Sequence, residues 1–206
     1  MFLWVMLSPI LLTSCAQMAI KDRNYRATRD VEVNGAQVRS ALKPIGGNSG
    51  FALSAMFYSA GVGSTDGPYR WRVEADGKAG VHEWLRVNQV QVTTSKTKRN
   101  EWYPTSQLGV KSPFEEVPGE EGVTFAKSQF AGKLTVMPKV DGDIKVRVNV
   151  SVQAQGRVQS KWLEFEMAQE TKWRTESMFV PVEIVKSFGK KKDPREWAWG
   201  SSWPQE

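Results

Sequence analysis

The chain has one cysteine, Cys15, and one histidine, His82, among 206 residues. A single cysteine excludes an intramolecular disulfide, and with one imidazole it excludes the clustered ligands of a structural zinc site. No glycine-rich phosphate loop and no Gly-x-Ser-x-Gly elbow is present, so the usual signatures of nucleotide binding and of serine hydrolases are missing. The apolar run at residues 1–14 is shorter than the roughly 20 residues of a membrane-spanning helix. There is no internal repeat and no alternation of strand and helix patterns, which removes solenoids and doubly wound folds. What is present is ordinary for a globular chain: 40% hydrophobic and 24% charged residues argue against global disorder. The net charge of +6 and pI near 9.4 would suit anionic lipid, acidic glycans or nucleic acid. The basic residues do not cluster into the arms that grip nucleic acid, so a solvated, mildly basic surface is the plainer account and nucleic acid is not an expected partner.

Residues 1–14 carry no charge, are strongly apolar, and have the length of the apolar region of an export signal. The run has no Lys or Arg ahead of it, and a buried apolar segment of a cytosolic protein is the alternative reading. It closes on Leu12-Thr13-Ser14-Cys15, an aliphatic residue and two small ones before cysteine. That tetrapeptide resembles the lipobox of bacterial lipoproteins. The resemblance implies cleavage before Cys15, a diacylglycerol thioether on its sulfur and an acylated new N-terminus. Several acyl chains of the palmitate class would then anchor the protein stably, where a single chain would hold it only marginally. Ala16 in place of Asp after the cysteine implies sorting to the outer membrane, on its periplasmic face or at the cell surface.

The mature chain divides into a lipid anchor and polar tether (15–30), a β-sandwich-like domain (31–189) and a basic, Trp-rich tail (190–206). In the tether Lys21, Arg23, Arg26 and Arg29 could rest on anionic headgroups, at about 1 kcal/mol each, or simply be solvated. From Val31 onward the punctuation is that of hairpins. Asn34-Gly35 accepts the positive φ angles of a tight turn, and Asp66-Gly67, Asp76-Gly77 and Asp141-Gly142 recur between apolar runs. Tyr69–Ala75 and Trp84–Thr94 read as strands. The clearest strand is Ile144–Ala154, with Ile144, Val146, Val148, Val150, Val152 and Ala154 on one face and Lys145, Arg147, Asn149, Ser151 and Gln153 on the other. Leu134–Met137 is expected to pair with it across Asp141-Gly142, and Leu163, Phe165 and Met167 across Gln155-Gly156-Arg157. Val180–Val185 reads as an edge or bulged strand because of Pro181. Phe51–Gly61 fits a strand or a helical face, and the strand is preferred. Residues 43–50, 97–111 and 112–122 read as loops. The pattern predicts an all-β fold, an antiparallel β-sandwich or related barrel, in a single domain behind a lipidated tether.

Catalytic machinery is hard to find. His82 beside Glu83 reads as a surface or capping residue, since no nucleophile accompanies it. Ser-x-x-Lys occurs at Ser40, Ser95 and Ser187 without the motifs that accompany it in penicillin-recognising enzymes. Glu115, Glu116, Glu120 and Glu121 crowd one loop that could bind calcium weakly but reads more simply as solvated. Asp141 and Asp143 are explained by turn chemistry, and Asn149-Val150-Ser151, a glycosylation pattern, lies inside the best strand. No cofactor, metal or enzymatic activity is expected. Nine tryptophans stand out. Trp71, Trp84, Trp162 and Trp173 read as core or sheet-face residues that, if exposed, could stack on sugar rings. Trp197, Trp199 and Trp203 follow the basic run Lys190-Lys191-Lys192 and need covering. The tail either folds back on the domain, enters the membrane interface, or docks on a partner. The function expected is therefore a membrane-anchored envelope lipoprotein serving as a structural or protein-interaction module. The alternative is a carbohydrate or cell-wall binder, and a hydrolase is a distant third.

Overall fold

The computed structural model describes residues 15–45, 49–55, 58–65, 67–177 and 193–197. Its strands are β1 Cys15–Ala27, β2 Val31–Val33, β3 Ala36–Pro44, β4 Ser49–Ala55, β5 Tyr58–Thr65, β6 Tyr69–Lys78 and β7 His82–Thr94. They continue with β8 Asn100–Trp102, β9 Lys111–Pro113, β10 Glu115–Glu116, β11 Val123–Gln129, β12 Ile144–Ala154 and β13 Arg157–Ser177, with a 3-10 turn at Thr105–Gln107 after β8 and an α-helical turn, α1 Pro138–Asp141, ahead of β12. The strands form one sheet, ordered β10-β11-β6-β3-β1-β13-β12-β7-β8, with β2 on β3, the β4–β5 hairpin on β1, and β9 on β7. Every pairing is antiparallel except β1 with β5. The predicted all-β antiparallel class is the one that forms. The ends of the path meet through Lys111–Glu116: β9 pairs with β7, β10 pairs with β11, and between them the Phe114 amide donates to the Glu83 carbonyl. The sheet thus coils around one core in the manner of a barrel.

β12 shows why. Val side chains are stiff at χ1 and fit a pleated surface. Val146, Val148, Val150 and Val152 are fully buried, while Lys145 and Arg147 are exposed. Val148 lies between Val90 of β7 and Leu163 of β13, and burying each such side chain stabilises by roughly 1.5–3 kcal/mol. Trp71 of β6 is also fully buried, with the rings of Tyr103 and Phe130 centred 4.7 and 4.3 Å away. Two tight turns set register as expected. Asn34 and Gly35 take φ of 51° and 83° between β2 and β3, and Gln155 and Gly156 take 50° and 73° between β12 and β13.

Within Phe51–Gly61 the described residues, 51–55 and 58–61, are strand, the preferred reading. Four expectations are corrected. Residues 15–30 are not a tether for most of their length, since β1 pairs along Gln17–Ala27 with β13. Its charges hid the pattern because they are matched across strands, as in the 2.8 Å contact of Asp22 with Arg174. Asp76-Gly77 is no turn but continues β6. A Cβ on Gly77 would sit 2.8 Å from the Phe114 ring and 2.9 Å from that of His82, so glycine is there for close packing. Leu134–Met137 does not pair with β12. Leu134 bridges Tyr69, and Pro138 then opens α1, whose Asp141 carboxylate accepts from the Met137 amide at 2.7 Å. The expected loops at 97–111 and 112–122 contain the short strands β8, β9 and β10. Val180–Val185 lies outside the described residues.

β13 does two jobs. Residues 157–167 pair with β12 in the barrel, and residues 167–177 pair with β1. β5 and then β4 continue on the other side of β1, so the path β13-β1-β5-β4 forms its own end of the molecule.

Candidate functional site

Alternation along β3 and β6 turns Val38, Leu42, Trp71 and Val73 into the core and leaves Arg39, Lys43, Arg72, Glu74 and Asp76 on the outer face. That face is not wet. Arg39, Arg72 and Glu74 are each no more than 5% exposed. One oxygen of Glu74 accepts from Arg39 Nε at 2.8 Å and the other from Arg72 Nε at 2.6 Å. Arg39 also pairs with Asp76, and with Asp30 at 3.3 Å. Both guanidiniums lie over the Phe125 ring, 5.8 Å from its centroid. Burial pulls the Arg39 pKa down, but hydrogen bonding to Asp76 and the charge of Glu74 overcome it and leave the value raised. Arg72 goes the other way: burial outweighs Glu74, and Arg39 adds its repulsion.

This network floors a cleft of about 650 Å³ whose walls carry seven cationic residues against four carboxylates. Lys43 records the surplus. Burial lowers its pKa, Asp22 opposes, and Arg174, Arg72 and Lys172 push it lower still. Such a site favours carboxylates, phosphates or backbone carbonyls.

The described piece of the C-terminal tail, residues 193–197, forms part of the wall of this cleft through Arg195 and Trp197. Asp193 opens a turn by accepting from the Arg195 amide at 2.8 Å through its side chain and from the Glu196 amide at 3.0 Å through its carbonyl. The turn presents two consecutive carbonyls to Arg72, whose Nη2 donates to that of Arg195 at 2.6 Å and Nη1 to that of Glu196 at 3.1 Å. Lys127 Nζ donates to the same Glu196 carbonyl at 2.6 Å. The Trp197 ring lies on the Arg72 guanidinium, 4.2 Å from centroid to Cζ. Arg195 clasps Glu120, with Nη2 to Oε2 at 3.0 Å, and reaches Asp76 at 3.7 Å. Trp197 thus rests on the domain. Trp199, Trp203, Lys190, Lys191 and Lys192 lie outside the described residues.

Other candidates take quieter places. Cys15 begins β1 and registers beside Tyr58 of β5. His82 is buried against Phe114, its Nδ1 accepting from the Lys78 amide at 2.8 Å and its Nε2 bonding the Asn34 carbonyl at 3.2 Å, a turn-holding role that uses both ring nitrogens. Ser40 is buried, Ser95 Oγ accepts from the Asp143 amide, and Ser187 is outside the described residues. Glu115 and Glu116 belong to β10 and Glu120 to the clasp on Arg195. The tryptophans split. Trp71 is core, Trp173 is 61% exposed with Lys21 over its ring, and Trp162 and Trp102 form an edge-to-face pair at 6.3 Å on the outer face of β13 and β8. The Arg39–Glu74–Arg72 network was missed in the sequence. Its one signal was a strand face of alternating charge, which by itself reads as solvated. No family model, no curated protein and no solved structure matches the chain.

Proposed function

We propose that the protein is an envelope lipoprotein, held at the outer membrane by acyl chains on Cys15, that works as a protein-interaction module and not as an enzyme. The observation that supports binding is the charged cleft and the way Arg72 at its floor holds the tail. Arg72 and Lys127 hold backbone carbonyls, a chemistry any peptide offers, while the aromatic ring on Arg72 and the acid–base clasp at Glu120 add selectivity. A site satisfied by main-chain carbonyls and one tryptophan is a recognition surface, because nothing in it activates a nucleophile. The partner expected is an envelope protein presenting a Trp-containing turn that competes with, or is donated like, the protein's own tail.

The test uses protein lacking residues 190–206 and a synthetic peptide of those residues. Saturable binding in the micromolar range is expected, with affinity reduced about tenfold or more by Arg72→Met. Absence of saturable binding, or equal affinity for the variant, overturns the assignment. The anchor is tested separately: Cys15→Ser should abolish metabolic labelling by a clickable fatty acid and release the protein from the membrane fraction.

The carbohydrate reading draws support from one feature, the exposed Trp102 and Trp162 beside Asn149, Gln91 and Asn100. Against it, Arg147 already covers the Trp162 ring at 4.7 Å and the two rings stand edge to face, which leaves no flat platform. Glycan binding lost on Trp162→Ala would favour it.

A further inference from the structure

The β3–β6 and β4–β5 pairs share a single register, from Gln37 opposite Asp76 to Pro44 opposite Tyr69 in the first and from Ser49 opposite Ser64 to Ala55 opposite Tyr58 in the second. The distal part has a composition unlike the rest of the domain: from Pro44 to Thr65 no residue is charged. The strand beside it matches. Cys15–Ile20 of β1 are also uncharged and register with Tyr58–Gly63, and charge resumes at one level on both strands, at Lys21 and Asp22 beside Ser64 and Thr65 and then at Asp66. The β4–β5 pair is also two-sided by position. Phe51, Leu53 and Ala55 register with Val62, Ala60 and Tyr58, whereas Gly50, Ala52 and Ser54 register with Gly63, Gly61 and Ser59. One row is apolar and the other is made of small residues. Val62 and Met18, 55% and 37% exposed, are hydrophobic side chains left at this end.

We infer that this end is a second membrane-contacting element: strands β4 and β5, with the start of β1, dip into the lipid bilayer at the end where Ala55 pairs with Tyr58 and Cys15 lies beside it. Three observations choose lipid as the occupant. The seven residues of β4 and eight of β5, at about 3.3 Å each, reach about 23–26 Å, long enough for their outer part to enter the roughly 5–10 Å depth that interfacial elements occupy. The uncharged zone is followed by three cations, Lys21, Arg23 and Lys43, against two acids, Asp22 and Asp66, a net positive boundary at the level where anionic headgroups would lie. The chain preceding Cys15 is uncharged and mostly apolar, so whatever leaves β1 there, acyl chain or apolar leader, leaves it at the level of Tyr58 on β5. Arg174 and Glu176 of β13 stand at the level of Ile20 and Met18, which keeps that strand in water and limits the inserted part to β4, β5 and β1. Insertion is therefore shallow. Crossing the bilayer would require every backbone group of the edge strand to be paired.

This deepens the membrane anchoring proposed above, and its test uses unlipidated protein so that the two can fail separately. In the full chain carrying Cys15→Ser, the sole native cysteine is gone, and a single new one takes an environment-sensitive dye at Leu53→Cys or, as control, at Val158→Cys in the opposite end of β13. With vesicles of phosphatidylethanolamine and phosphatidylglycerol, the dye at position 53 should shift to the blue, brighten several-fold and be quenched by lipids labelled high on the acyl chain, while the dye at 158 stays unchanged. Val62→Asp, at an exposed site that leaves folding intact, should weaken vesicle binding about tenfold at an unchanged melting temperature. No change at position 53, equal change at both positions, or a shift that appears without vesicles as protein concentration rises (a second copy as occupant) overturns the inference. Failure of fatty-acid labelling at Cys15 would remove the acyl anchor and leave this result standing.

Discussion

Removing residues 193–206 opens the charged cleft, and the structure sets how much stability should go with them. Arg72 is almost wholly buried and its two terminal nitrogens are satisfied by the carbonyls of Arg195 and Glu196. Hydrogen bonds to a charged group contribute about 1.5–3 kcal/mol each. The Trp197 contact adds about 0.5–2 kcal/mol, and the partly exposed Arg195–Glu120 pair at most about 1. Water entering the opened cleft recovers part of the loss at Arg72, so the net expectation is about 2–4 kcal/mol. For a domain of this size each kcal/mol moves the melting temperature by roughly 2–4 °C, giving a fall of roughly 5–15 °C by calorimetry. Adding the peptide 190–206 in trans should raise the midpoint again in a concentration-dependent way. A truncated protein melting within about 2 °C of the full chain would refute the reasoning, because it would mean that Arg72 is equally well satisfied without the tail.

Val148→Asp, which puts a carboxylate between Val90 and Leu163, should cost more than about 4 kcal/mol or prevent folding. Asn149→Asp keeps the oxygen that accepts from Asn88 at 2.7 Å and should change the urea midpoint little. Gly77→Ala forces a methyl against Phe114 and His82 and should cost about 1–3 kcal/mol by chemical denaturation. Burial pushes the Asp141 carboxyl up, but hydrogen bonds from Thr97 and the Met137 amide, with the Arg99 charge, hold it below the ordinary carboxylate range. A depressed acid stabilises the fold at pH above its unfolded value of about 3.9 and loses that contribution as pH falls through the folded value. Urea midpoints measured from neutral pH downward should therefore drop in this acid range, and Asp141→Asn should be less stable at neutral pH with a shallower acid drop.

Period-two alternation made β7, β12 and the first half of β13 legible from sequence, because one face of each is core and the other solvent. The same rule failed where it was incomplete. β1 has Lys21, Asp22 and Arg23 in succession, and only its neighbours Trp173 and Arg174 on β13 explain why a strand tolerates them. On β6 alternation sets Arg72 and Glu74 on the side opposite Trp71 and Val73, but it does not say whether something later in the chain covers that side. The tail that covers it arrives more than a hundred residues on. Asp-Gly pairs were ambiguous in the same way. Asn34-Gly35 turns the chain, whereas Gly77 only makes room for two rings, a reason visible in three dimensions alone.

The shared strand β13 has a mechanical meaning. A load drawn on Cys15 enters β1 at one end of its ladder with β13, at the level of Ser177, while the barrel holds β13 at the other end, from Met167 down along β12. Force applied at opposite ends of an antiparallel pair shears it. The pairs from Gln17–Ser177 to Ala27–Met167 must then yield together instead of peeling one at a time, so a tether at Cys15 would pull on the molecule along its stiffest line.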